Sequence, residues 1–183
     1  MLYSKGKDNE YGIHLLYLLA FKYNYMKEIR LEMNMKVVSL EELTKDELNL
    51  INAAKDATLQ AYAPYSTFHV GAAALLENGV VVSGSNQENI AYPSGLCAER
   101  VALFHANHQY PSVPVTMLAI AAKVGDVFVE NISPCGACRQ VLLEAEQRYG
   151  KPIRLLLYGR EDTLVVEDVA SLLPLCFGTK GLK

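Results

Sequence analysis

Apolar residues recur with two different periods along this chain, and the switches between them mark out its elements. From Leu40 to Tyr62 the positions Leu48, Ile51, Ala54 and Leu59 form a rough helical stripe. Thr44-Lys45-Asp46-Glu47 reads as a capping box, with Thr44 as N-cap, Glu47 reaching back, and Leu43 and Leu48 at the staple positions. Ala63-Pro64-Tyr65-Ser66 ends that helix. Phe68–Leu76 and Val80–Ser85 read as strands, with the Asn-Gly hairpin signal of Glu77-Asn78-Gly79 between them. Gly71 and the alanines after it predict a strand packed closely on both faces. A loop with Pro93 and Gly95 leads into a helix over Cys97–His108, with Val101, Phe104 and His105 spaced along it. Val115–Ala122 is the continuous apolar run of a buried central strand. Pro134 precedes a helix over Cys135–Tyr149, and Ile153–Tyr158 is a further buried strand. Thr163–Val166 reads as a short strand and Glu167–Leu173 as a short helix before Pro174. The order α-β-β-α-β-α-β-β-α predicts an α/β fold, a three-layer α-β-α sandwich on a mixed sheet of about five strands.

Residues 1–35 break this pattern. Gly12–Phe21 is an apolar run of about ten residues, half of the roughly 20 that a membrane-spanning helix needs. Lys5 and Lys7 stand upstream of it as in a signal peptide, but Asp8 and Glu10 interrupt the basic region and no small-x-small cleavage pattern follows. Met26, Met33 and Met35 are each alternative starts. The expectation is an extension over 1–35, disordered or lying upstream of the true start, then one domain over 36–178 and a tail over 179–183.

Composition narrows the class. Of 183 residues, 51% are hydrophobic and 20% charged, a globular balance, and 17 Lys plus Arg against 20 Asp plus Glu leave a net charge of −3. An acidic chain lacks the basic footprint that nucleic acid requires. No nucleic-acid or membrane partner is expected, and a small, weakly charged substrate fits better. Four cysteines are too few for a disulfide scaffold, so a reducing, cytoplasmic compartment is expected, with the cysteines serving metal or catalysis.

Those cysteines carry the chemistry. Cys97-Ala98-Glu99-Arg100 and Pro134-Cys135-Gly136-Ala137-Cys138 each sit where a loop turns into a predicted helix, and a helix N-terminus favours thiolate over thiol. Cys135-x-x-Cys138 alone fits either metal binding or redox chemistry. With Cys97 added, three thiolates from two helix starts can hold Zn²⁺ and leave one tetrahedral position open, which describes a catalytic site. A closed structural site would add Cys176, but that residue stands alone and reads as a small buried hydrophobe. Glu99, two residues after Cys97, is placed to take a proton from zinc-activated water and pass it on. Three thiolates leave the ion with a net charge of −1, so a cation must offset them if water is to ionise near neutral pH. Arg100 and Arg139 adjoin ligands, and Arg100 is the expected donor to the sulfurs. Cys-x-Glu followed by Pro-Cys-x-x-Cys is the three-cysteine form of the zinc nucleobase deaminase signature.

Around these residues the chain resembles the small, tetrameric cytidine deaminases, from about Leu48 to Gly178. The likeness is carried by Tyr62-Ala63-Pro64-Tyr65-Ser66, Phe68-His69-Val70-Gly71-Ala72, Asn86-Gln87-Glu88-Asn89, Ala91 to Arg100, Ser133 to Gln140, and Leu172-Leu173-Pro174 with Phe177, in the family's order. The resemblance implies one Zn²⁺ per subunit on Cys97, Cys135 and Cys138, with Glu99 as the catalytic proton shuttle. It implies that Asn86 and Glu88 bind the ribose 3′-hydroxyl and Phe68 packs on the pyrimidine. The Ala98 N–H would meet the base O2, and the Ser133 carbonyl would face the departing amino group. It also implies a homotetramer acting on free pyrimidine nucleosides, cytidine and 2′-deoxycytidine, in pyrimidine salvage, with Tyr92 and Phe177 serving a neighbouring subunit's site. Gln87 departs from the aliphatic residue common there, and the N-terminal extension is unusual. Blasticidin-type deaminases share the three-cysteine ligation, whereas nucleotide, tRNA and guanine deaminases usually place His where this chain has Cys97.

Overall fold

The central strands are buried along most of their length, and their successive side chains enter two cores on opposite faces of one sheet. The computed structural model describes residues 28, 30 and 32–178, so the expected tail and nearly all of the expected extension lie outside the described residues. Its strands are β1 (Lys36–Ser39), β2 (Phe68–Leu76), β3 (Val81–Ser85), β4 (Val115–Val124), β5 (Val127–Phe128), β6 (Arg154–Tyr158) and β7 (Asp162–Val166). Its helices are α1 (Lys45–Ala57), α2 (Ala98–Gln109) and α3 (Gly136–Tyr149). The sheet runs β1-β7-β6-β4-β2-β3, with β5 paired to β4. β4 and β6 are parallel, joined through α3, and every other pairing is antiparallel.

Leu118 and Ile120 of β4 face a core shared with Ala102, Leu103 and Ala106 of α2 and Leu142 and Leu143 of α3. Ala119 and Ala121 face the other way, against Leu50, Ile51 and Ala54 of α1. The three-layer α-β-α sandwich is thus the observed architecture. The sheet has seven strands rather than about five. β1 is mostly exposed and β5 has two residues, so neither carries an apolar alternation long enough to read.

The local signals act as expected. The Thr44 side chain accepts from the Glu47 N–H while the Glu47 carboxylate accepts from the Thr44 N–H at 2.8 Å, a complete capping box. Gly71 brings β2 against α1: a Cβ there would lie 2.0 Å from the Ala54 carbonyl oxygen. Three details differ. The first helix ends at Ala57 and continues as a 3₁₀ turn over Thr58–Gln60, leaving Leu59 exposed while Leu50 fills the core. Helix α2 buries Ala102, Leu103 and Ala106, and exposes Phe104 and His105. The last predicted helix is a 3₁₀ turn over Val169–Leu172. Among the described residues no helix is long and apolar enough to cross a membrane.

Candidate active site

Two helix starts meet at one end of the sheet. Cys97 is the N-cap of α2 and Cys135 the N-cap of α3, both with extended backbone and no side-chain cap bond. Cys138 lies in the first turn of α3 and is buried. The first N–H groups of a helix lack internal partners, so both ends present partial positive charge where the sulfurs gather. What brings α2 there is Gly84 of β3, whose Cα lies so close to the helix that a Cβ would sit 2.4 Å from the Ala102 nitrogen.

The three sulfurs lie within 4.8 Å of one another, with Cys97 to Cys135 at 3.8 Å and Cys135 to Cys138 at 3.5 Å. Disulfide sulfurs would be about 2.05 Å apart. Four ligands placed tetrahedrally at about 2.3 Å from zinc would be about 3.8 Å apart. The spacing is therefore that of a zinc site. Cys176 is exposed and is no member of the cluster, which overturns its reading as a buried hydrophobe and leaves three protein ligands. Arg100 points Nη2 at the Cys97 sulfur at 3.7 Å. The Cys138 thiol and that guanidinium together push the Cys97 thiol down to about 5, while donation to Cys97 and burial push Cys138 up. Glu99 is 5% exposed beside them, and burial raises its carboxyl above the usual carboxylate range.

Arg139 has a different task from the charge compensation weighed for it. Its guanidinium donates to the Pro134 carbonyl at 2.9 Å, the Leu172 carbonyl at 3.2 Å and the Ser133 hydroxyl at 2.9 Å. It ties the loop before α3 to the chain after β7, which holds Ser133 at the cleft.

The sulfurs open onto a cleft of about 800 Å³, a volume suited to a small ligand. Phe68, Val70, Leu96 and Ile132 give it apolar walls, and Asn86, Glu88, Tyr92 and Ser133 line it too. Ala98 is fully buried and is not among the residues that line the cleft. Asn86 accepts from the Val70 N–H at 2.8 Å and donates to the Phe68 carbonyl at 2.9 Å, fixing the strand end that carries Phe68. Gln87 turns its amide to the Gln60 carbonyl and the Ser85 hydroxyl, so its departure from an aliphatic residue leaves Asn86 and Glu88 in place. Glu88 accepts from the N–H groups of Tyr65 at 2.9 Å and Ser66 at 3.2 Å and from the Ser66 hydroxyl at 2.5 Å. These bonds, the Ser66 hydroxyl foremost, hold its carboxyl below the usual range. Tyr92 stands at the mouth, edge-on to Tyr65, and is 78% exposed.

Residues 44–149 match the family model for the cytidine and deoxycytidylate deaminase zinc-binding region. The chain belongs to that deaminase family. It is 40% identical over 137 residues to the cytidine deaminase of Sporosarcina psychrophila, covering 75% of this chain and 95% of the relative. It is 46% identical over 99 residues to that of Halalkalibacterium halodurans, covering 54% and 71%. Among solved structures, the cytidine deaminase from Burkholderia pseudomallei superposes with a TM-score of 0.62 at 40% identity, covering 74% of this chain and 100% of that one. The Mycobacterium tuberculosis enzyme superposes at 0.56 with 35% identity, covering 71% and 95%.

Zn²⁺ is accordingly the cofactor of this deaminase domain, and Cys97, Cys135 and Cys138 form a group that could hold it. Phe177 does not line the cleft and is 80% exposed, with its carbonyl held by Gln140 at 2.8 Å. Sequence reasoning gave no part to Ser66, although it lies inside a family motif. A serine in a turn is too common to signal that its hydroxyl reaches a carboxylate 22 residues away.

Proposed function

We propose that this protein hydrolyses cytidine and 2′-deoxycytidine to uridine and 2′-deoxyuridine, releasing ammonia. The observation that carries the reading is three sulfurs at zinc spacing beside a buried carboxylate, at the base of an apolar-walled cleft. Zinc, when bound, supplies a Lewis acid that brings water ionisation near neutral pH. Glu99 takes one proton of the attacking water and delivers it to ring N3 as the water oxygen bonds to C4; it then carries the proton of the new C4 hydroxyl to the amino nitrogen, whose bond to C4 breaks as ammonia leaves and the C4 carbonyl forms. Its buried carboxyl, raised in pKa, suits a group that must both accept and give a proton. Arg100 offsets the charge of the thiolates through Cys97.

The other roles are proposed for the same pose. Phe68 packs on the pyrimidine, the Ala98 N–H donates to O2, and the Ser133 carbonyl receives the amino group. Asn86 and Glu88 meet the 3′-hydroxyl. The lining favours a free nucleoside over a nucleotide or polynucleotide. Arg100, the cation among the described lining residues, is turned to the sulfurs, and Glu88 would repel a 3′-phosphate.

We further assign the catalytic domain to 36–178, a reading supported by the compact unit that begins at Met33. A homotetramer completed by Tyr92 and Phe177 is supported by the exposed apolar side chains of Ile90, Tyr92, Leu175 and Phe177. Cytoplasmic residence is supported by four cysteines that are all free.

The test is the ultraviolet absorbance of cytidine incubated with the purified, zinc-replete protein. Loss of the cytidine band, with cytidine 5′-monophosphate left unchanged, is expected. No loss from folded, zinc-loaded protein would reject cytidine as substrate and move weight to a blasticidin-type substrate.

A further inference from the structure

At the sugar end of the cleft, a single hydroxyl joins the two side chains proposed to hold the nucleoside. Ser66 Oγ donates to Glu88 Oε1 at 2.5 Å and accepts from the Phe68 N–H at 3.0 Å. A hydroxyl has one proton, so the order of this chain is set: Phe68 N–H to Ser66 to Glu88. The Tyr65 and Ser66 N–H groups occupy Oε2. Among the described residues the Ser66 hydroxyl is the donor that Oε1 receives, and a carboxylate oxygen has two lone pairs, so one stays available to a ligand hydroxyl.

The backbone between the two partners is held in an unusual form. Thr67 has a φ of 57°, which a β-branched residue rarely adopts. Such a conformation persists where its surroundings over-determine it. Here the Thr67 N–H donates to the Ala63 carbonyl at 3.1 Å and its hydroxyl to the Ser66 carbonyl at 2.6 Å. The turn lifts the chain from the Glu88 carboxylate into the start of β2, where Phe68 begins the strand.

We propose that Ser66 is a positioning residue that aims Glu88 at the substrate's 3′-hydroxyl and couples that contact to the placement of Phe68 against the base. This inference rests on the deaminase reading and on the roles given there to Glu88 and Phe68. Ser66 itself touches no reacting atom. Removing its hydroxyl takes one of three donors from Glu88 and leaves the Phe68 N–H without its acceptor.

The experiment compares kcat and KM of the full-length, zinc-loaded protein on 2′-deoxycytidine and 2′,3′-dideoxycytidine, which differ by the 3′-hydroxyl alone. The wild type is expected to favour deoxycytidine. In Ser66→Ala the ratio of the two kcat/KM values should fall about tenfold, mostly through KM for deoxycytidine, the order expected when a bond to a charged group is weakened. Ser66→Thr, which keeps a hydroxyl, should restore most of the ratio. Ser66→Cys, similar in volume but a weak donor, should lower it as Ala does, and it serves if the Ala variant does not fold. Ser66→Ala combined with Glu88→Gln should lower the ratio no further than Glu88→Gln alone, because Ser66 acts through Glu88. A merely structural role would depress both substrates in parallel, and an unchanged ratio in Ser66→Ala and Ser66→Cys overturns the proposal. A wild type inert to deoxycytidine is a different result: it removes the reading of deoxycytidine as a substrate, and this inference with it.

Discussion

Adding one methyl group at Gly84 should disable the site without touching it. The Cβ of Gly84→Ala would lie 2.4 Å from the Ala102 nitrogen, 2.9 Å from the Ala98 carbonyl oxygen and 3.0 Å from the Ala102 Cα. All three are backbone atoms of α2, so no side chain can turn away. Ordinary contact begins at 3.4 Å, so the helix must retreat by 3.4 − 2.4 = 1.0 Å. That helix carries Cys97 at its N-cap and Glu99 in its first turn. A zinc site tolerates about 0.2 Å in its ligand distances, so a shift of this size breaks it. Overpacking of this kind costs about 1–3 kcal/mol of stability. A reacting group displaced by about 1 Å loses on the order of 100-fold in rate. Urea denaturation, zinc content and kcat on cytidine should show lower stability, less than one zinc per chain and a kcat reduced about 100-fold or more. Gly71→Ala makes the equivalent clash against α1, 2.0 Å from the Ala54 carbonyl oxygen, on the face that bears no sulfur. It should lose stability, yet its folded fraction should keep full zinc content. A Gly84→Ala protein with wild-type stability, zinc and kcat would refute the claim that this close approach places the ligands.

Two further outcomes follow from the same geometry. Cys176→Ser should retain zinc content, activity and stability within about 0.5 kcal/mol, because Cys176 is exposed and outside the sulfur cluster; loss of zinc by mass spectrometry would restore the four-cysteine site. Glu146 is buried, and that burial raises its carboxyl above the ordinary 4.5 even though the Ile153 and Val169 N–H groups donate to it at 2.7 Å. A raised folded-state pKa means that the fold binds the proton more tightly than the unfolded chain, so this contribution is full below 4.5 and is lost as pH rises through the folded value. Glu146→Gln keeps the acceptor and cannot ionise, so its stability relative to wild type should rise with pH across that window in urea titrations; a constant difference would contradict it.

How much was legible in the chain depended on the range over which each signal acts. The capping box at Thr44 and the loop-to-helix switches at Cys97 and Cys135 are local events, written within four residues, and they appear as read, with each cysteine as the N-cap. The bounds of β2 were legible because a mostly apolar run, broken only by His69, meets a turn at each end. Leu59 and Leu50 both suit a helical stripe, but the chain changes to a 3₁₀ turn after Ala57, and that rotates Leu59 into solvent. Cys176 stands among Leu175 and Phe177, yet all three are exposed, since an apolar neighbourhood in sequence needs a surface to pack on before it is buried. Arg100 and Arg139 look equivalent, the one directly after Glu99 and the other directly after Cys138. Only the third dimension sends one to a sulfur and the other to three oxygens of the adjoining loops.

The account's central claim is that three cysteines hold the ion while Glu99 moves the protons. The most direct measurement is zinc content and cytidine turnover of Glu99→Gln on one sample. The amide keeps the shape of a side chain that is not among the three metal-ligating residues. About one zinc per chain with kcat lowered roughly a thousandfold is predicted, the scale of general acid–base catalysis. A zinc-loaded Glu99→Gln protein that deaminates cytidine at the wild-type rate would contradict it.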